Sequence, residues 1–298
     1  MDRLTSPAQA AHAISTIITE FCATSPENRL APGSAEPSWG APRVAFARAD
    51  DPLFAQLKED IGPFYWTPEE AFALGHPQKP TPATELSVIS WILPQTETTL
   101  EEQRETQELP SRSWSLVREF GEAFNCTLRL HLVEQLANAG IPAVAPERLP
   151  GFDYRQSPRF GIASNWSERH TAYIAGHGTF GLSDGLITPL GKAMRCGSVV
   201  VHLNLPVSPR PYKGLHYYCL WYAKGSCGVC MHRCPANAIT ADGHDKEACK
   251  EYIRKVTAPY AKQQFGVTAT PCGLCQAAIP CERQIPPALR PDTQELNS

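Results

Sequence analysis

Eight of the eleven cysteines fall between residues 219 and 281, and that crowding constrains the chain more than any other feature. With 298 residues the chain can build its own core, so a disulfide framework is not needed for stability. Short spacings instead mark a C-terminal metal module beside a larger, cysteine-poor region. The stretch KGSCGVCMHRCPANAI (224–239) carries Cys227, Cys230 and Cys234 and ends in Cys-Pro. It reads as three-quarters of the iron–sulfur run C-x2-C-x2-C-x3-C-P, with Lys224 where the first cysteine would stand.

Thiolates bind both iron and zinc, and four of them satisfy either metal. One zinc knot from the C-x2-C pairs at 227/230 and 272/275 is therefore the alternative. Three details favour iron–sulfur clusters: the Cys-Pro-Ala-Asn-Ala-Ile ending, the eight regional cysteines, and further cysteines after each pair. In two-cluster ferredoxins the cysteine before proline ligates the other cluster. That crossing gives a first set of Cys219, Cys227, Cys230 and Cys281 and a second of Cys234, Cys249, Cys272 and Cys275. Cys22, Cys126 and Cys196 are left over, and Lys224 becomes a displaced ligand position compensated by Cys219.

The formal charge of −3 offers no basic field for a phosphate backbone, so nucleic acid is not a default partner. No 18-residue apolar run and no basic-then-apolar leader occur in the sequence, which predicts a cytoplasmic protein without a membrane partner.

Along the chain, residues 7–22 read as an amphipathic helix entered at Ser6-Pro7. Residues 25–82 are punctuated by proline and glycine and show few periodic segments. LSVISWIL (86–93) and CGSVVVHLNLP (196–206) read as buried strands, and IPAVAP (141–146) as a short edge segment. Leu116, Phe120, Phe124, Leu128, Leu132 and Leu136 predict one long helix closed by Gly140. Strands separated by helices predict a layered domain of helices and sheet, ending near Pro211.

AGHGTFG (175–181) contains G-x-G-x-x-G at Gly176, Gly178 and Gly181. A dinucleotide site needs a strand before it, a helix after it and an acid about 20 residues on. Here the preceding stretch is helix-like, the following one is loop and strand, and position 201 is valine, so the match is accidental.

Taken together, ERHTAYIAGHGTFGLSDGLIT, the strand GSVVVHLNL and the cysteine module resemble the core of the epoxyqueuosine reductase and reductive dehalogenase group, over about residues 85–285. The resemblance implies an α+β fold: a nitroreductase-like cofactor-binding domain (1–210), a ferredoxin-like domain with two [4Fe–4S] clusters (211–290), and a tail (291–298). It also implies cobalamin fed with electrons by the clusters. Cys249 in EACKEYI matches that group's isolated ligand of the second cluster.

Two departures stand out. The position of the tRNA enzymes' catalytic aspartate falls at or beside Ile162. The sequence also stops soon after Cys281, without a helical-repeat tail. Both argue against epoxyqueuosine in tRNA as the substrate.

The resemblance implies a cobalamin-dependent, iron–sulfur oxidoreductase of a small molecule, working by reductive dehalogenation or deoxygenation and supplied by an external electron donor. Two alternatives remain: an electron-transfer or activating protein for a corrinoid or metal partner, and a reductase using FMN. The lower-ligand motif D-x-H-x-x-G is missing, so cobalamin would bind without a protein histidine.

Candidates for holding it are Gly176, Gly178, Thr179, Gly181, Leu182, Ser183, Asp184 and Ser198. The glycines either let backbone approach a ligand or only form a tight turn. Arg169, His170, Tyr173 and His177 are the candidate catalytic residues. On a helix the last three share one face, where tyrosine or histidine donates a proton and Arg169 holds an anion. The alternative makes His170 and Tyr173 ordinary packing residues. Trp166 either lines a pocket or packs.

Overall fold

The structure is a computed structural model and describes residues 6–290; the predicted tail at 291–298 lies outside the described residues. Helix α1 (Pro7–Thr24) begins where Ser6 Oγ accepts from the Gln9 amide at 3.3 Å, with Pro7 in its first turn. Its buried stripe is Ala10, Ala11, Ile14, Ile18 and Cys22, the spacing read from the sequence.

The stretch 25–82 holds more order than its composition predicts. Strand β1 (Arg43–Arg48) lies there, followed by α2 (Pro52–Ile61) and α3 (Pro68–Gly75). Both helices use the same start: an N-cap side chain, Asp51 or Thr67, followed by proline. Thr67 and Glu70 complete a reciprocal capping box.

Strand β2 (Ser87–Pro94) and helix α4 (Glu97–Arg104) come next. The helix expected over 116–136 is present as one continuous helical run, with a π-turn in its first part that the sequence reading did not predict. Helix α5 (Arg112–Leu116) passes into a π-turn at Val117–Gly121 before α6 (Glu122–Asn138). The cause is local. Trp39 Nε1 donates to the Gly121 carbonyl at 2.8 Å, and a Cβ at Gly121 would lie 2.8 Å from that same nitrogen.

Strand β3 (Ala143–Val144), the hairpin β4 (Tyr154–Ser157)–β5 (Gly161–Ser164) and helix α7 (Glu168–Ile174) follow. A second hairpin, β6 (Thr179–Phe180)–β7 (Leu186–Ile187), leads to β8 (Met194–Val201). Four strands form one antiparallel sheet in the order β1–β2–β8–β3. The expected IPAVAP segment is its short edge.

Central strands β2 and β8 are covered on both faces, so their side chains divide by parity. Ile89, Trp91, Leu93, Val199 and Val201 pack against α1 and α6 through Ile14, Ile18, Leu128, Leu132 and Leu136. Val88 and Val200 face Phe54, Phe72, Trp166 and Ile174 on the other side. Trp91 is opposite Gly197, where a Cβ would come within 2.5 Å of the indole. The tryptophan takes the space its partner leaves.

Beyond β8 come α8 (Leu220–Lys224), α9 (Val229–His232), the hairpin β9 (Ile239–Thr240)–β10 (Gly243–His244), α10 (Lys246–Tyr252) and α11 (Ala258–Phe265). Ala261 and Val267 from this region join the main core with α1 and α6. No helix among the described residues is long and apolar enough to cross a membrane.

Candidate metal centre

Cys219, Cys227, Cys230 and Cys281 line one cavity, together with Leu182 and Lys192. Local backbone explains how they get there. Cys219 caps α8 and is buried. Cys227 has φ of +86° and Gly228 +93°, so the chain turns left-handed at the C-x2-C before α9. The Lys192 and Ala193 amides donate to the carbonyls of Cys281 and Glu282 at 2.8 to 3.1 Å, drawing the distant Cys281 in.

The second set converges on α10 and the CGLC loop. Burial pushes the Cys272 thiol up to about 12, and the neighbouring Cys275, Cys249 and Cys234 add to the effect. Cys249 is raised to about 11 by burial first, then by Cys275 and Cys234. Cys275 also acts on Cys230 of the first set, so the two sets adjoin. Thiols crowded in this way hold their protons until a cation replaces them. Among the described residues no three His, Cys, Asp or Glu side chains form a site for a single metal ion. No disulfide forms among the eleven cysteines, and Cys22 and Cys196 are buried elsewhere. Cys126 sits beside Arg129 and Arg148.

Lys192 was not singled out by the sequence. It is 2% exposed, and its Nζ donates to Ser183 Oγ at 2.8 Å. Burial pulls its pKa down, yet the thiolates of Cys281, Cys275, Cys230 and Cys219 more than reverse this. Lys192 thus lies beside Cys281, Cys275, Cys230 and Cys219, where a thiolate-ligated cluster would supply the negative charge that offsets burial of an ammonium. The donor set therefore fits an iron–sulfur cluster.

Helix α7 precedes the glycine turn and the β6–β7 hairpin follows, the reverse of a dinucleotide site. A Cβ at Gly178 would lie 2.0 Å from the Ile187 carbonyl oxygen, and one at Gly176 (φ +87°) would lie 2.4 Å from that of Pro209. These positions are filled by the chain's own backbone. At Gly181 the nearest atom is Ile187 Cδ1, at 3.2 Å.

The polar members are also engaged internally. Thr179 Oγ1 accepts from the Tyr218 amide at 2.8 Å, Ser183 from Lys192, and Ser198 from Trp166 Nε1 at 3.0 Å. Asp184, at φ +55°, pairs with His244 at 3.1 Å. These contacts are all within the fold, and Leu182 lines the cysteine cavity. Trp166 is packed, stacked on Phe54 at 6.3 Å.

Of the four candidate catalytic residues, His177 is displaced from the predicted face. Helix α7 ends at Ile174, and the turn at Gly176 swings His177 into the interior, 1% exposed. Arg43 Nη1 lies 2.8 Å from its Nδ1. Because an arginine only donates, Nδ1 accepts and the proton resides on Nε2. Burial holds the His177 pKa down at about 3, with Arg43 adding to the effect. Burial likewise lowers His170 to about 4. Both rings are neutral at neutral pH.

Tyr173 is raised by burial and keeps its hydroxyl proton. His170 and Tyr173 both approach Phe180, at 4.8 and 6.1 Å. The exposed Arg169 reaches the Asp184 carbonyl at 3.4 Å. Ile162 lies in β5, half-buried and opposite Gln156.

No protein-family model matches the chain, and no curated protein matches it. Solved structures do. The catabolic reductive dehalogenase NpRdhA in complex with 3-bromo-4-hydroxybenzoic acid is 17% identical with a TM-score of 0.56, covering 99% of this chain and 34% of that one. A reductive dehalogenase structure suggesting a mechanism for B12-dependent dehalogenation is 17% identical at 0.54, covering 100% and 34%. An epoxyqueuosine reductase with a tRNA-Tyr stem loop is 16% identical at 0.45, covering 84% and 65%. The chain spans about a third of the length of the reductive dehalogenases it matches. It has the fold of the corresponding part of a reductive dehalogenase, the group its cysteines and glycine turn resemble.

Proposed function

We propose that the protein is an iron–sulfur oxidoreductase carrying two [4Fe–4S] clusters, with a nitroreductase-like unit (1–210) and a ferredoxin-like unit (211–290). The observation that carries this reading is the cavity lined by Cys219, Cys227, Cys230 and Cys281, whose members lie up to 62 residues apart in sequence. Cys234, Cys249, Cys272 and Cys275 hold the second cluster. When bound, the clusters supply single low-potential electrons.

The fold likeness to reductive dehalogenases supports a reduction of the same class: removal of a halide or oxygen from a small molecule, with cobalamin as the reacting cofactor. In that reading Tyr173 is the proton donor, because its hydroxyl is protonated at neutral pH, whereas His170 and His177 are neutral imidazoles whose remaining N–H is a much weaker acid. Arg169 carries the exposed positive charge beside it and is suited to an anionic group.

One observation favours the second reading, in which the chain passes electrons to a corrinoid on a partner. The residues expected to cradle cobalamin are engaged inside the fold. Anaerobically purified protein decides between them. A base-off cob(II)alamin signal in electron paramagnetic resonance, with turnover on an artificial reductant, supports the enzyme. Clusters without corrinoid, and reduction only when a corrinoid partner is added, support the electron-transfer role. An FMN spectrum overturns both.

A further inference from the structure

Lys192 is placed by backbone as well as by its side chain. Its amide donates to both the Cys281 and Glu282 carbonyls, at 2.8 and 3.0 Å. Gly191, at φ +84°, lets the two segments touch: a Cβ there would lie 2.1 Å from the Glu282 carbonyl oxygen. The aliphatic stem runs over Gly185, where a Cβ would lie 2.5 Å from Lys192 Cδ. The backbone and the stem are thus both held, and Lys192 reaches the wall of the cysteine cavity with Ser183 Oγ as its hydrogen-bond acceptor. Among the described residues no carboxylate pairs with it.

The second set shares less of this charge: of its members only Cys275 is named among the cysteines acting on Lys192, against Cys281, Cys230 and Cys219 of the first. Arg233 is half-buried and its guanidinium is taken up by the Leu274, Thr106 and Gln103 carbonyls. Arg169 is exposed and therefore screened by water.

We propose that Lys192 is the fixed counter-charge of the first cluster, raising its reduction potential above that of the second and setting the direction of electron flow toward it. The inference rests on the two-cluster reading. Reduction adds one negative charge to a cluster. A cation buried beside it stabilises the reduced form, and low local dielectric makes that effect large. Electrons entering at the Cys234, Cys249, Cys272 and Cys275 cluster then move downhill to the cluster at Cys219, Cys227, Cys230 and Cys281. Lys192 is a positioning and tuning residue, without contact to substrate.

The test is a redox titration of the anaerobic protein followed by electron paramagnetic resonance, on wild type, Lys192→Gln and Ser183→Asp. Ser183→Asp keeps the lysine stem and neutralises its charge in place. In either variant one midpoint should fall by at least a tenfold change in the one-electron equilibrium, about 59 mV. The other midpoint should stay put and iron and sulfide content should match wild type. If Lys192→Gln fails to assemble the first cluster, Ser183→Asp decides alone. Variants fully loaded with iron whose midpoints are unmoved overturn the proposal. Wild-type protein lacking iron and sulfide overturns the two-cluster reading itself, and the tuning role with it.

Discussion

Gly273, between Cys272 and Cys275, lies against the indole of Trp114 at φ +70°, where a Cβ would come within 2.0 Å of Trp114 Cε2. The C-x2-C loop of the second set is thereby seated on helix α5 of the preceding region. Gln103 Nε2 fastens the same loop through the Cys272 carbonyl at 2.9 Å. Gly273→Ala must move either the loop or the tryptophan, and the left-handed backbone adds to the strain. Iron content should fall by about half, the share of one of two four-iron clusters, with the first cluster's signal retained. A full complement of iron in this variant would show that the loop does not hold a cluster.

The ligand sets make a second prediction. Anaerobic protein should contain about eight iron and eight sulfide per chain. Cys219→Ser should remove or weaken one cluster signal and Cys249→Ser the other. Cys22→Ser and Cys126→Ser should leave both. Zinc without sulfide, or a Cys219→Ser protein with unaltered signals, would refute the assignment.

Acid sensitivity should trace in part to His177. Its folded pKa of about 3 lies below the ordinary value of 6.5, so folding favours the neutral ring. The stability this group contributes is complete above pH 6.5 and is lost as pH falls toward 3. The loss reaches at most about 1.4 kcal/mol per pH unit. His177→Phe should be less stable by about 1 to 3 kcal/mol at pH 7, because Arg43 loses its acceptor. It should lose less stability than wild type between pH 6 and 4. Urea denaturation at the two pH values measures both, and parallel losses would exclude His177 as a source.

Gly178→Ala should destabilise the protein whether or not any cofactor is present, because its Cβ meets the Ile187 carbonyl rather than open space. Overpacking of this kind costs about 1 to 3 kcal/mol. Thermal unfolding of cofactor-free protein checks it. An unchanged midpoint would return the glycine to a ligand-facing role.

The parts legible in the chain were those where local chemistry and burial agree. The eight clustered cysteines, the Ser6-Pro7 helix start and the apolar runs of β2 and β8 all carry their reason within a few residues. Helices α2 and α3 were legible too, had Asp51-Pro52 and Thr67-Pro68 been read as cap and first turn rather than as loop punctuation.

What remained hidden depends on contacts between distant segments. Trp39 reaches the π-turn of the predicted long helix from 82 residues away, and neither residue's own neighbourhood signals it. His177 leaves the face it shares with His170 and Tyr173 on a helical wheel, because a left-handed glycine ends the helix early. Nothing in LGKAM marks Lys192 as buried. The sequence by itself determined which cysteines are available and how they are spaced. Only the tertiary structure decided that a lone ammonium is buried among four of them, because burial is a property of everything packed around a residue.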